Sequence, residues 1–282
     1  MTADYCDIQA AIAAGNFTLA QDIYATGKNS FSGLARRTFY RFATFAPAAG
    51  VVEPLHDALA MGRNATWLDT MIKDAMARRR GALALGLVQV AALKYFLHEV
   101  DEGFTKVSIY LNDTVNNAVL IDDLTGAPHN VDEAFALWAG GSPRACATLS
   151  GWAARLGADL DTTFANRSYV NSAMTLALNE LLANSRTGSR EPYNVTRFLV
   201  QRHLTVLGLQ GVMHSAYLAQ AAAACKRPTA QIDDAKAAVA VHWTYLRPLL
   251  AARRAPAADI KKIEDAVFAA SPSSQTVLTA VR

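Results

Sequence analysis

The chain has 282 residues, 52% of them apolar, and a formal net charge of only +3. This length allows one large domain or two modest ones with a sizeable core. Abundant Ala and sparse Pro favour helices. Because the basic triplet at residues 78–80 lacks interleaved aromatic residues, composition argues against a nucleic-acid partner.

Cys6, Cys146 and Cys225 are far apart and form no Cys-x-x-Cys pair, which argues against a thiolate metal cluster. An odd count permits one disulfide and one free thiol, or three reduced thiols. Pairing cannot be decided from the spacing.

Apolar spacing in the first part of the chain predicts a helical hairpin, with Gly15 and Gly27 ending its two helices. Pro at the first position predicts a helix over residues 54–61. A Thr-x-x-Asp capping box at residues 66–69 predicts the start of a helix over residues 67–80.

The middle of the chain contains its most apolar helix, predicted over residues 81–102 with Gly103 as its C-terminal stop. Its apolar run is short and interrupted by polar residues, so we expect a buried core helix and no membrane span. Residues 106–130 are the least helical stretch and predict a long loop with a short helix or a hairpin. Helices are then predicted over 132–139 and from Ser142-Pro143 to about residue 157.

The last part of the chain is strongly helical. Gly208 and Gly211 predict close approach of a neighbouring helix, and Asn194 predicts an N-cap. The remaining helices are predicted over residues 162–184, 194–225, 232–252 and 256–271. The fold class is therefore all-α: a compact multi-helix bundle of roughly nine to eleven helices with little or no sheet. We expect one domain over residues 1–282, with a split into two bundles near residues 128–142 as the alternative.

Five Asn-x-Ser/Thr sequons exceed the roughly one or two expected by chance and suggest passage through a eukaryotic secretory pathway. Chance combined with helix capping is the alternative explanation. The sequons begin at Asn16, Asn64, Asn112, Asn166 and Asn194. We expect Asn112, in the polar stretch, to be the most readily glycosylated. We expect Asn166 to be the least, because neighbouring Phe164, Tyr169 and Val170 suggest a packed helix. The first residues are not a signal peptide, so a secreted protein would carry this sequence in its mature form.

The densest group of potential metal ligands lies on the apolar helix. His98 and Glu102 are four residues apart and share one helix face, so they can offer an imidazole nitrogen and a carboxylate to a metal, with Glu99 beside them. The alternative is a solvated helix end. Asp132 and Glu133 form a second acidic pair. The alternative is that they are ordinary partners of the helix dipole, because acidic residues are common in the first turn of a helix. The zinc-protease His-Glu-x-x-His motif and the paired Glu-x-x-His motif of di-iron bundles are absent.

Three further histidines lie in the C-terminal half. His203 and His214 share a helix face but are about 16 Å apart, which is too far for one metal ion. His242 lies beside two aromatic residues. The glycine motifs of hydrolases, P-loops and Rossmann folds are missing, so the sequence carries no specific catalytic signature.

Several segments resemble the iron-assimilating proteins of algae, which are secreted periplasmic proteins induced by low iron or high CO2. The resemblance is carried by Asn16 to Ser30 (NFTLAQDIYATGKNS), Arg37 to Thr44 (RTFYRFAT), Val131 to Gly140 (VDEAFALWAG) and His242 to Leu250 (HWTYLRPLL). Val131 and Phe135 stand where that family has Trp and Tyr, which weakens a tyrosine-dependent ferric site. The resemblance implies iron binding or uptake outside the cell.

The first hypothesis is thus a secreted, periplasmic or cell-surface protein that binds ferric or ferrous iron, with or without a co-bound anion, and is not an enzyme. Its expected ligands are His98, Glu99, Glu102, Asp132 and Glu133; the resemblance carries only the last two. Its partners would be the metal ion and a cell-surface uptake protein. Two alternatives remain: a helical ligand-binding or scaffold protein without metal, and a metal-dependent enzyme in which His203, His214 or His242 borders the pocket.

Overall fold

The computed structural model describes residues 1–32, 34–140, 149–269 and 274–281. Within them it contains thirteen α-helices, a short 3-10 helix over Ala118–Ile121 and two small hairpins. The all-α prediction is confirmed. The helix count exceeds the predicted range because short helices form over Phe39–Thr44 and Ser274–Val281. The predicted helix start at Ser142-Pro143 and the predicted helix end at residue 271 lie outside the described residues.

The first seven helices are α1 (Thr2–Ala13), α2 (Phe17–Thr26), α3 (Phe39–Thr44), α4 (Pro54–Ala60), α5 (Trp67–Ala77), α6 (Gly81–Tyr110) and α7 (Ala127–Ala139). The next six are α8 (Leu149–Asp159), α9 (Tyr169–Arg186), α10 (Arg190–Ala224), α11 (Thr229–Ala252), α12 (Ala257–Val267) and α13 (Ser274–Val281). The hairpins pair β1 (Phe31–Ser32) with β2 (Ala35–Arg36), and β3 (Thr163–Phe164) with β4 (Arg167–Ser168).

Helix α6 forms the centre of the fold and packs against α1, α3, α4, α5, α7, α10 and α11. It continues past Gly103, so the predicted stop is wrong. Gly103 has a packing role instead, because a Cβ atom there would lie 2.3 Å from the Tyr193 hydroxyl oxygen. The absent side chain lets that hydroxyl donate to the Val100 carbonyl at 3.1 Å.

Helix α6 is also the one helix among the described residues that is long and apolar enough to span a membrane by length and composition. Its most apolar window is 61% buried inside the protein. A core helix of this kind passes the same test as a membrane span.

Helix α5 begins at Trp67 as predicted, but its predicted capping bond is absent, and the predicted start of α9 is wrong. Thr66 precedes α5 but makes no side-chain cap bond, and Asp69 instead accepts from the Tyr24 hydroxyl at 2.9 Å. The predicted helix from residue 162 begins only at Tyr169. Ala165 and Asn166 adopt the left-handed conformation (φ 49° and 61°) that turns β3 back into β4.

Helix α10 starts four residues before Asn194, so that residue lies inside the helix and is not its N-cap. The predicted close approach at its two glycines is confirmed. A Cβ at Gly211 would lie 2.1 Å from His242 Nδ1, and one at Gly208 would lie 3.0 Å from Leu246 Cβ.

The main core runs from Tyr5 to Leu249 and draws residues from both sides of 128–142. A smaller core joins the C-terminal part of α10 with α11, α12 and α13. The single-domain assignment stays a prediction. Among the cysteines, Cys6 is disulfide-bonded and Cys225 is a free, exposed thiol, whereas Cys146 lies outside the described residues.

The sequons differ in exposure. Asn16 is exposed and caps α2 by accepting from the Leu19 amide at 3.0 Å. Asn166 is exposed in the β3–β4 turn, and the packed helix expected around it is absent, since Phe164 is 83% exposed. Asn194 is partly buried on α10 and accepts a hydrogen bond from Arg197 at 2.8 Å.

Candidate metal centre

A buried aspartate on α6 fixes the position of α4. Asp101 accepts hydrogen bonds from the Leu55 and His56 amides at 2.7 and 3.0 Å, at the N-terminus of α4, where an anion is favourable. Its other oxygen pairs with Arg197 at 2.9 Å. This contact holds the start of α4, including Glu53, against the middle of α6.

Glu53, His98 and Glu102 form a continuous line of contacts. His98 Nδ1 lies 2.8 Å from a Glu53 carboxylate oxygen, and His98 Nε2 lies 3.3 Å from a Glu102 oxygen. Glu53 and His98 are almost completely buried, whereas the Glu102 side chain is 35% exposed. The imidazole therefore bridges two carboxylates between the interior and the surface.

Asn130 on α7 extends this line to two more carboxylates. Its amide nitrogen donates to Glu99 at 2.6 Å and to Glu102 at 3.0 Å. Glu99 also lies close enough to Glu133 for each carboxyl group to shift the pKa of the other. We call Glu53, Glu99, Glu102 and Glu133 the carboxylate cluster; it combines the N-cap residue of α4 with side chains from α6 and α7.

Cations balance the cluster at its two edges. Lys106 lies 3.1 Å from Glu102 and also donates to the Asn130 side-chain oxygen at 2.8 Å. Arg37 pairs with Glu133, and His129 lies 3.4 Å from the same carboxylate. A metal ion binding here would compete with these cations.

Protons occupy part of the cluster at neutral pH. Burial alone would lower the pKa of His98, but its hydrogen bonds to Glu102 and Glu53 raise that pKa to about 9. Burial raises the pKa of Glu99 to about 8, and the neighbouring Glu133 adds to this effect. The hydrogen bond from His98 lowers the pKa of Glu102 to about 2. These shifts favour the charged form of His98 and the protonated form of Glu99 near pH 7.

Aromatic rings shield the buried side of the cluster. The Phe45 ring lies 3.9 Å from the His98 ring, and Tyr95 stacks on Phe42 at 4.2 Å. Buried Lys94 anchors this cover by donating to the carbonyl oxygens of Ala43 and Phe45 at 2.8 and 2.7 Å. These contacts limit access of water to His98 from this side.

The structure brings four of the five predicted ligands into one contact network: His98, Glu99, Glu102 and Glu133. Asp132 is exposed. Its charge helps to raise the pKa of Arg186, which forms its salt bridge with Asp123. Neighbouring residues on a helix point about 100° apart, which explains why Glu133 joins the network and Asp132 does not. The assignment of all five as metal ligands stays a prediction.

Sequence reasoning missed Glu53, the N-cap residue of α4, and His56 in its first turn. A single Glu-x-x-His spacing, Glu53-Pro-Leu-His56, is the signal that could have found them. His56 is 3% exposed, burial lowers its pKa to about 4, and its Nε2 atom has no hydrogen-bond partner among the described residues. It is a neutral imidazole with an unused nitrogen 6.3 Å, ring to ring, from His98.

The cluster is not arranged as a finished metal cage. Among the described residues, no group of three or more His, Cys, Asp or Glu side chains already has a geometry that would hold a metal ion. The donor types nevertheless fit iron, which takes carboxylate and imidazole ligands. Binding would require the protons on His98 and Glu99 to leave and the carboxylates to turn toward a common point.

The three C-terminal histidines lie elsewhere. His214 and His242 line a large cavity next to α8. His203 is partly exposed on α10, and burial lowers its pKa. These residues are separate from the carboxylate cluster.

The fold and the cluster together define an all-helical protein with a buried carboxylate–imidazole network. The family model described as Fea1, low iron-inducible periplasmic protein, matches residues 1–282, and the chain belongs to this family. The family name indicates a periplasmic protein induced by low iron. The comparisons found no match among curated proteins or among solved structures.

Proposed function

We propose that this protein binds iron in the periplasm at the carboxylate cluster, as a non-enzymatic step of iron assimilation. The observation that carries the proposal is the His98 imidazole in contact with two carboxylates, with two further carboxylates next to them. Oxygen donors with one nitrogen donor suit iron, and the family's induction by low iron agrees with this cargo.

The proposed ligands are His98, Glu53, Glu99, Glu102 and Glu133. Asn130 would hold two of these carboxylates in place, as an outer partner of a metal site does. His56 offers a further nitrogen if the site closes around the ion. Asp132, which the resemblance also implied as a ligand, stands outside this set because it is exposed beside Arg186.

Iron binding at this cluster should release protons. Metal ligands act in their deprotonated forms, and the raised pKa values of His98 and Glu99 favour the protonated form of both groups at pH 7. We therefore expect iron affinity to rise from pH 6 to pH 8. Titration calorimetry in two buffers of different ionisation enthalpy measures the protons released per ion.

The direct test is iron binding by the purified protein and two matched variants. Ferrous iron under anaerobic conditions and ferric nitrilotriacetate are each equilibrated with the protein, and bound iron is measured by elemental analysis after gel filtration. Glu102→Gln keeps the size of a partly exposed side chain but removes a charged ligand, so iron affinity should fall at least about tenfold. Asp132→Asn makes the same chemical change on a neighbouring helix and should bind iron like the wild type.

Two outcomes would reject the proposal. One is a wild-type protein that retains no iron in either oxidation state. The other is iron binding that Glu102→Gln leaves unchanged, or that Asp132→Asn weakens as much. Circular dichroism of both variants verifies that the helical fold is kept.

A further inference from the structure

A second site is suggested by a cavity that none of the cluster's residues lines. It has a volume of about 1670 Å³ and lies between α1, α6, α8, α10 and α11. Tyr5, Gln89, Trp152, Arg155, His214 and His242 line it. Gln89 and His98 are nine residues apart on α6, roughly 13 Å along the helix axis, so the cavity and the carboxylate cluster have separate walls.

His242 presents a hydrogen-bond donor to this cavity. Its Nδ1 atom lies 3.0 Å from the hydroxyl of Tyr245, which is fully buried. A buried hydroxyl must donate its proton, and this nitrogen is its acceptor, so the imidazole proton is on Nε2. Burial lowers the pKa of His242 to about 3, which keeps the ring neutral. The Nε2–H group has no partner among the described residues.

The same wall carries a second polar side chain and a largely buried aromatic ring. Gln89 is 7% exposed, and its side-chain amide makes no hydrogen bond in the part of the chain that the structure describes. Trp152 is 4% exposed, and its ring lies 4.6 Å from the His242 ring. Gln89 and His242 both line the cavity, so the oxygen atoms of a bound molecule can accept hydrogen bonds from these two groups.

Arg155, which is exposed on the lining, supplies a positive charge at the cavity. Asp159 lies one helical turn away and would ordinarily pair with it, but Asp159 lies 3.2 Å from His214 instead. Arg155 has no ion pair among the described residues, and its charge acts on His214 and His242. Asp234, exposed on the same lining, disfavours ligands with several negative charges.

We propose that this cavity binds an aromatic monocarboxylate, with the carboxylate on Arg155 and the ring against Trp152. The Nε2–H group of His242 and the amide of Gln89 donate to oxygen atoms of the ligand. This site is independent of the proposed iron site and does not require iron.

The test uses benzoate, 2-naphthoate and indole-3-carboxylate, with binding followed by titration calorimetry and by Trp fluorescence. At least one should bind saturably to the wild-type protein. The uncharged 2-naphthamide should bind at least about tenfold more weakly than 2-naphthoate, because it lacks the charge-assisted bond to Arg155.

Matched variants locate the site. Arg155→Gln should weaken carboxylate binding about tenfold, whereas Arg202→Gln, which removes an exposed arginine on α10, should leave it unchanged. Glu102→Gln should also leave it unchanged, so failure of the iron proposal and failure of this one are distinguishable. Lack of saturable binding by all three acids would overturn the inference. Equal binding of acid and amide, or an Arg155→Gln variant that binds like the wild type, would overturn it as well.

Discussion

His242 is a histidine whose neutral form the fold requires. It is 2% exposed, its ring lies between Trp152 and Tyr245, and burial lowers its pKa from 6.5 to about 3. The unfolded chain takes up a proton below pH 6.5 and the folded chain does not. The contribution of this group to stability is therefore present above pH 6.5 and is lost as the pH falls toward 3.

Replacing His242 should flatten the acid limb of the stability curve. Between pH 6 and pH 4 this histidine alone can remove up to about 1.4 kcal/mol of unfolding free energy per pH unit. We expect His242→Gln to be less stable than the wild type at pH 7, because Tyr245 loses its acceptor, but to lose less stability on acidification. Urea unfolding at pH 7, 5.5 and 4 measures this, with His203→Gln on partly exposed His203 as the control. If the unfolding free energies of the wild type and His242→Gln fell in parallel with pH, the lowered pKa of His242 would be contradicted.

At the residue scale, the part of the site that depends on one helix was predictable. His98 and Glu102 are one turn apart on α6, and the helical repeat alone placed them on one face. Glu53 lies 45 residues from His98 in sequence, and its contact depends on how Asp101 docks α4. No local pattern encodes that docking, so the single Glu-x-x-His spacing gave no reason to connect Glu53 with His98.

At the scale of elements, glycines on helices have two different meanings that sequence alone did not separate. Gly103 looked like a helix stop and is a close-packing position beneath Tyr193. Gly208 and Gly211 were predicted as close-packing positions and are confirmed. Which of the two roles a glycine has depends on the residue that packs against it, and that residue is determined by tertiary structure. The β3–β4 hairpin was missed for a related reason: its two-residue strands are too short to show an alternating pattern.

The contact between α10 and α11 gives an element-scale prediction. An Ala in place of a helical Gly normally stabilises a helix by about 0.5–1 kcal/mol. At Gly211 the added Cβ would lie 2.1 Å from His242 Nδ1, so the buried ring must move and break its bond to Tyr245. We expect Gly211→Ala to destabilise the protein by about 1–3 kcal/mol.

Gly208→Ala is the matched control in the same helix. Its Cβ would meet Leu246 at 3.0 Å, which needs a shift of only a few tenths of an ångström. Thermal unfolding should therefore give a clearly lower Tm for Gly211→Ala than for Gly208→Ala. Equal Tm values would show that α10 and α11 can move apart near His242 without a loss of stability.

At the scale of the whole molecule, the all-α class followed from composition and helical spacing, because most helices bury a continuous apolar face. Val170, Met174, Leu178 and Leu181 of α9, for example, are all fully buried. The carboxylate cluster and the cavity arise only where several helices meet. Their positions depend on packing across more than half of the chain, which a reading of one segment at a time cannot supply.

The surface of the whole molecule gives a last prediction, on glycans. In protein secreted from a eukaryotic host, folded material should carry glycans at Asn112 and Asn166, since both are exposed outside helices. It should carry none at Asn194, because that side chain is partly buried on α10, accepts a bond from Arg197, and is followed by Thr196, which is 4% exposed. A sugar there would displace Arg197 from the contact that also fixes Asp101 and α4.

Glycopeptide mass spectrometry after enzymatic deglycosylation in heavy-oxygen water measures the occupancy of each sequon. Asn166→Gln should remove the mass of one glycan, whereas Asn194→Gln should leave the glycan mass unchanged. Occupied Asn194 in folded protein would contradict the packing described for α10. Unmodified Asn112 and Asn166 would instead show that the sequon excess comes from chance and helix capping, as Asn16 does when it caps α2.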